Sequence, residues 1–229
     1  MEKITKEKAL ELTKRMLVYL VGMVLIAFGV NIAINSNLGV SPVNSITLVL
    51  NKQFPFFTMG TWATLVFCMF VLVQLVLLLK EFKWYYLFQF LVSTVFGWFI
   101  DGTAGLAKVC FPALDNYLVR LVYIGISLVM IALGVMLYLE GNIMSMPAEG
   151  VALALSKRTK WAVSTCKMIF DTSVTLIAII LSFLFFGELN GVREGTIIVA
   201  LGVGFVMKPI SKWLKKPLNN WMYKQTEKK

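Results

Sequence analysis

Residues 61–79, TWATLVFCMFVLVQLVLLL, run from Thr61 to Leu79 without one charged side chain. A helix of that length rises roughly 30 Å, the thickness of the hydrocarbon core of a bilayer. The apolar residues leave no polar face of the kind that a helix on a soluble core presents to water. The block therefore needs lipid or protein on every side. It is one of six such candidates: Met16–Ser36, Phe57–Leu79, Tyr85–Asp101, Leu118–Leu139, Ala162–Phe186 and Gly195–Met207. The third and sixth are short for a span, and tilting or thinning of the bilayer would accommodate them. Composition agrees, with 59% hydrophobic and 15% charged residues, against roughly 25% charged in a soluble domain. The expected fold is an all-α integral membrane protein of about six transmembrane helices in one domain, 1–229, whose partner is the lipid bilayer.

The net charge of +10 is a matter of topology. Lysine and arginine concentrate at the two ends of the chain and in the loops on the same side: Lys3, Lys6, Lys8, Lys14 and Arg15, then Lys80, Lys83, Lys157, Arg158 and Lys160, then seven lysines from Lys208 onward. The other side receives Lys52, Lys108 and Arg193, with Arg120 at a span boundary. Because cytoplasmic loops are the basic ones, this predicts a bacterial cytoplasmic-membrane protein, multi-pass, with both termini cytoplasmic. No basic patch with interleaved aromatics sits on a polar face, so nucleic acid is not an expected partner. The first apolar block lacks a small-residue cleavage site and reads as a retained helix. Residues 210–229 read as a basic cytoplasmic tail, amphipathic or disordered at the membrane surface.

Shifting the chain by 105 residues against itself aligns Arg15 with Arg120, Gly29-Val30 with Gly134-Val135, Asn37 with Asn142 and Pro42 with Pro147, giving 11 identities in 38 positions without a gap. Gly97 falls on Gly202 at the same offset. The repeat units are about 15–102 and about 120–209. Each holds three spans, so the second enters the membrane from the opposite face, as an inverted 3+3 repeat. Secondary transporters use this architecture and place their sites between the repeats, at interrupted helices.

The chain breaks at equivalent places in the two units. After the first span, Asn35 to Asn44 is a polar, glycine- and proline-bearing segment, followed by a short apolar stretch. Glu140 to Glu149 and the stretch after it match it in unit two. Ser41 is a candidate N-cap, and Pro42 and Pro147 suit a first helical turn. Ten helical residues reach about 15 Å. Each short helix therefore either dips halfway into the membrane or lies flat at its interface, and the pattern leaves both open. Converging helix N-termini favour anions, whereas Glu140 and Glu149 favour a cation or a proton-coupled solute.

Lys167 and Asp171 stand four residues apart on one face of the fifth span. Charges at that depth are costly unless paired or hydrated, and they are functional candidates. A structural ion pair is the competing reading, and Lys167 can also snorkel to the cytoplasmic side. Candidate solute-binding residues are Asn37, Ser41, Asn44, Asn142, Ser145, Glu149, Lys167 and Asp171. Asp101 reads as a solvated helix end, and Asn31 and Asn35 bond between helices or line a pathway.

Leu38-Gly39-Val40-Ser41-Pro42 after the first helix, and Gly191-Val192-Arg193-Glu194-Gly195-Thr196 followed by Gly202 and Gly204, resemble the bacterial YczE/YyaS/YitT group of multi-pass membrane proteins. The likeness covers most of the chain, and the second unit departs from its glycine-rich turn at Met144-Ser145-Met146-Pro147. The resemblance implies an architecture and not a substrate.

Without histidine, a Ser-His-Asp triad, an imidazole metal site and a histidine relay are all absent. No phosphate-cradling loop or acidic cluster stands in their place, so an enzyme is not expected, nor a metal or cofactor. Cys68, Cys110 and Cys166 read as small buried hydrophobes rather than a disulfide framework. The function that fits is a permease or secondary transporter for a small polar or charged solute, with its site between the repeats. The alternative is a non-transporting module that binds a solute or regulates another membrane complex. A homodimer stays open, because Gly22, Gly29, Gly202 and Gly204 can pack helices within one chain or between two.

Overall fold

The computed structural model describes residues 2–223 and is helical throughout, with no strand among those residues. Eight α-helices follow in order: α1 (Glu2–Ser36), α2 (Pro42–Gln53), α3 (Met59–Leu78), α4 (Phe88–Cys110), α5 (Tyr117–Gly141), α6 (Pro147–Thr159), α7 (Val163–Phe186) and α8 (Glu194–Tyr223). Two 3-10 turns, Leu79–Glu81 and Trp84–Leu87, join α3 to α4. Six helices are long and apolar enough to cross a membrane, namely α1, α3, α4 with its preceding turn, α5, α7 and α8. All six candidate spans of the sequence are there. The third runs on to Cys110, and the sixth continues to Tyr223 through Pro209 and Pro217. Neither is short. The basic segment expected to be amphipathic or disordered is thus helical as far as Tyr223, and residues 224–229 of that tail lie outside the described residues.

The centre of the bundle is the antiparallel pair α1 and α5. Gly22 of α1 abuts Gly134 of α5 so closely that a Cβ on Gly22 would stand 2.7 Å from the Gly134 carbonyl oxygen and one on Gly134 2.6 Å from that of Gly22. One turn pair further along, Gly29 faces Ser127, whose hydroxyl donates to the Gly29 carbonyl at 2.7 Å. Small residues let the two backbones touch, which is how helices gain dispersion energy where lipid offers no hydrophobic drive. Gly22 and Gly29 therefore pack within the chain. Gly202 does too, against Leu128, while Gly204 meets nothing. At one end of this pair Arg15 donates to the Gly141 and Asn142 carbonyls, the free acceptors at the end of α5. Lys14 donates to the Trp221 carbonyl beside it, so the start of α1 and the end of α8 share one face, called here the terminal face.

α4 lies on α1 and α8 on α5. Asn31 of α1 donates to the Ile100 carbonyl at 2.7 Å and the Thr103 hydroxyl at 2.9 Å on α4, so this buried amide joins helices. Asp101 is not a solvated helix end. It sits inside α4, accepts from the Gly60 N-H at 2.8 Å and the Thr58 hydroxyl at 2.6 Å, and so satisfies the first turn of α3. Gly60 and Gly97 meet at the same crossing. Of the cysteines, all free, Cys166 is buried, Cys68 is partly buried and Cys110 is exposed, against the expectation of three buried thiols.

Both short helices lie against the same two long ones, α3 and α7. α6 takes the half of α7 nearest the terminal face: Thr159, its last residue, is beside Cys166. α2 takes the far half, with Val49 packed by Ala178 and the Phe54 and Phe185 rings 5.6 Å apart. Each short helix therefore begins toward the middle of α7 and ends toward a different face. Asn37 and Asn142, which stand just before these helices, both adopt left-handed backbone, with φ of 54° and 47°. Asparagine is the residue other than glycine that most readily takes that conformation.

Candidate functional site

Pro147 occupies the first turn of α6, where its missing N-H costs nothing, and Glu149 follows two residues later, where the helix dipole favours a carboxylate. The fold turns this side chain toward α7. Lys167 and Asp171 are its charged neighbours, and Tyr19 of α1 and Tyr138 of α5 are also within electrostatic reach. Lys167 Nζ lies 2.7 Å from Asp171 Oδ1, so it is paired within the helix and does not snorkel away. Its ammonium also lies 5.9 Å from the Phe170 ring. Three of the sequence candidates, Glu149, Lys167 and Asp171, thus form one constellation of two carboxylates and one ammonium.

That constellation is incompletely satisfied. The Glu149 carboxylate interacts with the Tyr138 hydroxyl, but its Oε2 is shielded from solvent without a well-formed hydrogen bond, as are the Tyr19 and Tyr138 hydroxyls. The two phenol rings meet edge to face at 6.0 Å. A buried polar atom without a partner costs about 1–3 kcal/mol, more if charged, so one carboxylate and two hydroxyls close together form a place where an added donor would be stabilised.

A second buried polar group adjoins the start of α6, and the sequence reading missed it. Gln74 of α3 donates from Nε2 to Gln89 Oε1 at 2.7 Å and to the Pro147 carbonyl at 3.1 Å. Gln89 reaches Ser145 at 3.5 Å. Gln74 Oε1 accepts nothing and lies so near Gly150 that a Cβ there would displace the carboxamide. The available signal was two carboxamides inside otherwise apolar spans, in VLVQLV and LFQFLV.

At the start of α2 the candidates bond to each other. Asn44 Nδ2 donates to Ser41 Oγ at 2.9 Å, and the Asn44 N-H donates to the Ser41 carbonyl at 2.9 Å. Ser41 stands at the N-cap position without the side-chain cap bond expected of it. Asn44 Oδ1, Asn35 Nδ2 and Thr47 Oγ1 remain buried and unpartnered. Asn37 and Asn142 are exposed turn residues and join neither group. Glu140, near the end of α5, is engaged by α8: Oε1 pairs with Lys215 at 2.8 Å, and Oε2 accepts from Asn219 at 3.2 Å.

The model of a family of unknown function, DUF6198, matches residues 13–212. The chain belongs to that family. It is 24% identical over 199 residues to the uncharacterized membrane protein YczE of Bacillus subtilis, covering 86% of each chain. It is 29% identical over 144 residues to the uncharacterized protein YyaS of the same organism, covering 62% of this chain and 69% of that one. These relatives bear out the resemblance to YczE and YyaS and the membrane setting of this DUF6198 chain. No solved structure matches it.

Proposed function

We propose that the chain is a permease that carries a small polar or charged solute across the cytoplasmic membrane, as a cation or together with a proton, through a site at Glu149, Lys167 and Asp171. The observation that carries this reading is the shielded Glu149 oxygen, without a well-formed hydrogen bond, beside the Lys167–Asp171 pair and the Tyr19 and Tyr138 hydroxyls. An intramembrane carboxylate with an open acceptor position attracts a proton or an ammonium group, while the lysine holds the second carboxylate in place. Inverted repeats supply the frame for alternating access. That frame is supported by the left-handed Asn37 and Asn142, the proline starts of α2 and α6 and their common seat on α3 and α7. Both termini are then cytoplasmic, on the basic side.

The test is uptake by proteoliposomes of a labelled set of amino acids and diamines under an imposed proton gradient. Wild-type vesicles accumulate a member of the set, and E149Q and D171N abolish that uptake while leaving the amount of folded protein unchanged. Uptake that survives both substitutions sinks this site assignment.

A further inference from the structure

We infer that the cleft between the α1–α2 connection and the α7–α8 loop, on the face opposite the termini, binds a small phosphate-like oxyanion between Lys52, Arg120 and Arg193. The cleft has a volume of about 350 Å³, and its lining includes those three cations, Asn37, Asn190 and one carboxylate, Glu188. The argument begins from scarcity. Lys52, Lys108, Arg120 and Arg193 are the basic residues that the sequence assigns to this face, and membrane topology keeps that face poor in them. Three of those four line one cleft. Topology gives no reason for like charges to gather there, and gathering them costs energy that a bound anion returns.

The walls of the cleft are fixed by contacts far apart in sequence. Gly195 N-H donates to the Leu38 carbonyl at 2.8 Å, tying the start of α8 to the segment before α2. Gly39 has φ of 98°, and a Cβ there would stand 2.8 Å from Arg193 N, so glycine permits the approach of the two segments. Ser182 holds the α7–α8 loop by accepting from the Asn190 N-H at 2.6 Å and donating to the Glu188 carbonyl at 2.7 Å. Lys52 then crosses to Asn190 Oδ1. Partial loss of hydration against the cleft wall, and after it the nearby Arg193 charge, holds the Lys52 ammonium below the usual lysine range. Arg120 and Arg193 are each partnered by a carboxylate that is not among the lining residues, Asp115 at 3.0 Å and Glu194 at 3.4 Å. Asp115 is fully exposed, so the pair with Arg120 is a weak competitor for a ligand bound between several cations.

This inference is independent of the transport reading and is tested by binding alone. The full chain in a neutral detergent, free of phospholipid, is titrated with inorganic phosphate at constant ionic strength set by chloride, and its thermal midpoint is followed. The expected result is a saturable rise with phosphate that K52Q/R193Q weakens by about tenfold or more, equivalent to about 1.4 kcal/mol. K108Q, on the same face outside the cleft, leaves the rise unchanged. Lys52 and Arg193 are exposed, so the double variant should fold, and its midpoint without phosphate checks this. R120Q alone serves if it does not. A second arm compares nanodiscs of phosphatidylglycerol and phosphatidylcholine without free phosphate. Stabilisation by the anionic lipid alone, lost in K52Q/R193Q, makes a headgroup the source of the same oxyanion and also supports the site. A rise equal in wild type and variants, or no rise with either phosphate or phosphatidylglycerol, overturns it.

Discussion

The starts of α2 and α6 have the same backbone design and opposite chemistry. Each follows a left-handed asparagine, opens on proline and rests on α3 and α7. At the start of α2 the polar groups are neutral, and Asn44 bonds within the segment to Ser41. Around α6 they are charged or reach across helices: Glu149 to the Lys167–Asp171 pair, and Gln74 to Gln89 and Pro147. Position 44 corresponds to 149 at the 105-residue offset, and it holds an amide where the other holds an acid. The two starts therefore share a backbone frame and carry different charges. The buried charges sit beside the start of α6.

The most direct way to break that contrast is to give α2 the acid of α6. Asn44 is buried, and no ion pair involves its surroundings among the described residues. Asn44→Asp should cost about 3–5 kcal/mol as an uncompensated buried charge, read as a large fall in the thermal midpoint of the purified protein. A near-neutral result would mean that α2 has its own source of compensation, and the contrast would collapse. Glycine packing sharpens it next. Gly150→Ala pushes a methyl into the Gln74 carboxamide and should cost about 1–3 kcal/mol, whereas Ser45→Ala, at the corresponding position of α2, loses one local bond to Pro42 and should cost about 1 kcal/mol. Equal losses in a side-by-side melt would place the two starts under the same packing constraint. The smallest effect belongs to Ser41→Ala. Its hydroxyl caps no N-H and meets Asn44 alone, so a change within about 0.5 kcal/mol is expected. A loss as large as that of Gly150→Ala would show that α2 depends on its hydroxyl after all.

The six spans were legible because lipid demands length and apolarity, and both are written along the chain. The two proline starts and the Lys167–Asp171 pair were legible for a related reason: helix entry and i, i+4 spacing are local. What escaped was tertiary. Asp101 looked like the end of a short span, but α4 continues nine residues further and Asp101 bonds to α3, which local hydropathy does not encode. Gln74 and Gln89 are fifteen residues apart in sequence and hydrogen-bonded in space. The meeting of Glu149 with Lys167 and Asp171 needed the packing of α6 on α7. Asn37 and Asn142, aligned by the 105-residue offset, both stand in left-handed turns.

The glycine contact between α1 and α5 also bears on how the protein is made. α1 is synthesised first, and more than half of its apolar window is covered in the finished chain, with α5 as its main partner. Residue 134 emerges some hundred residues after Gly22, about 5–20 s later at ordinary translation rates. For that interval the helix destined for the interior has only lipid, or the insertion machinery, on the stripe that α5 will cover. Its buried amide Asn31 bonds to residues of α4, which are made before α5. The parallel α1–α4 contact is therefore available first, and the seam closes when the second half of the chain delivers α5 to it.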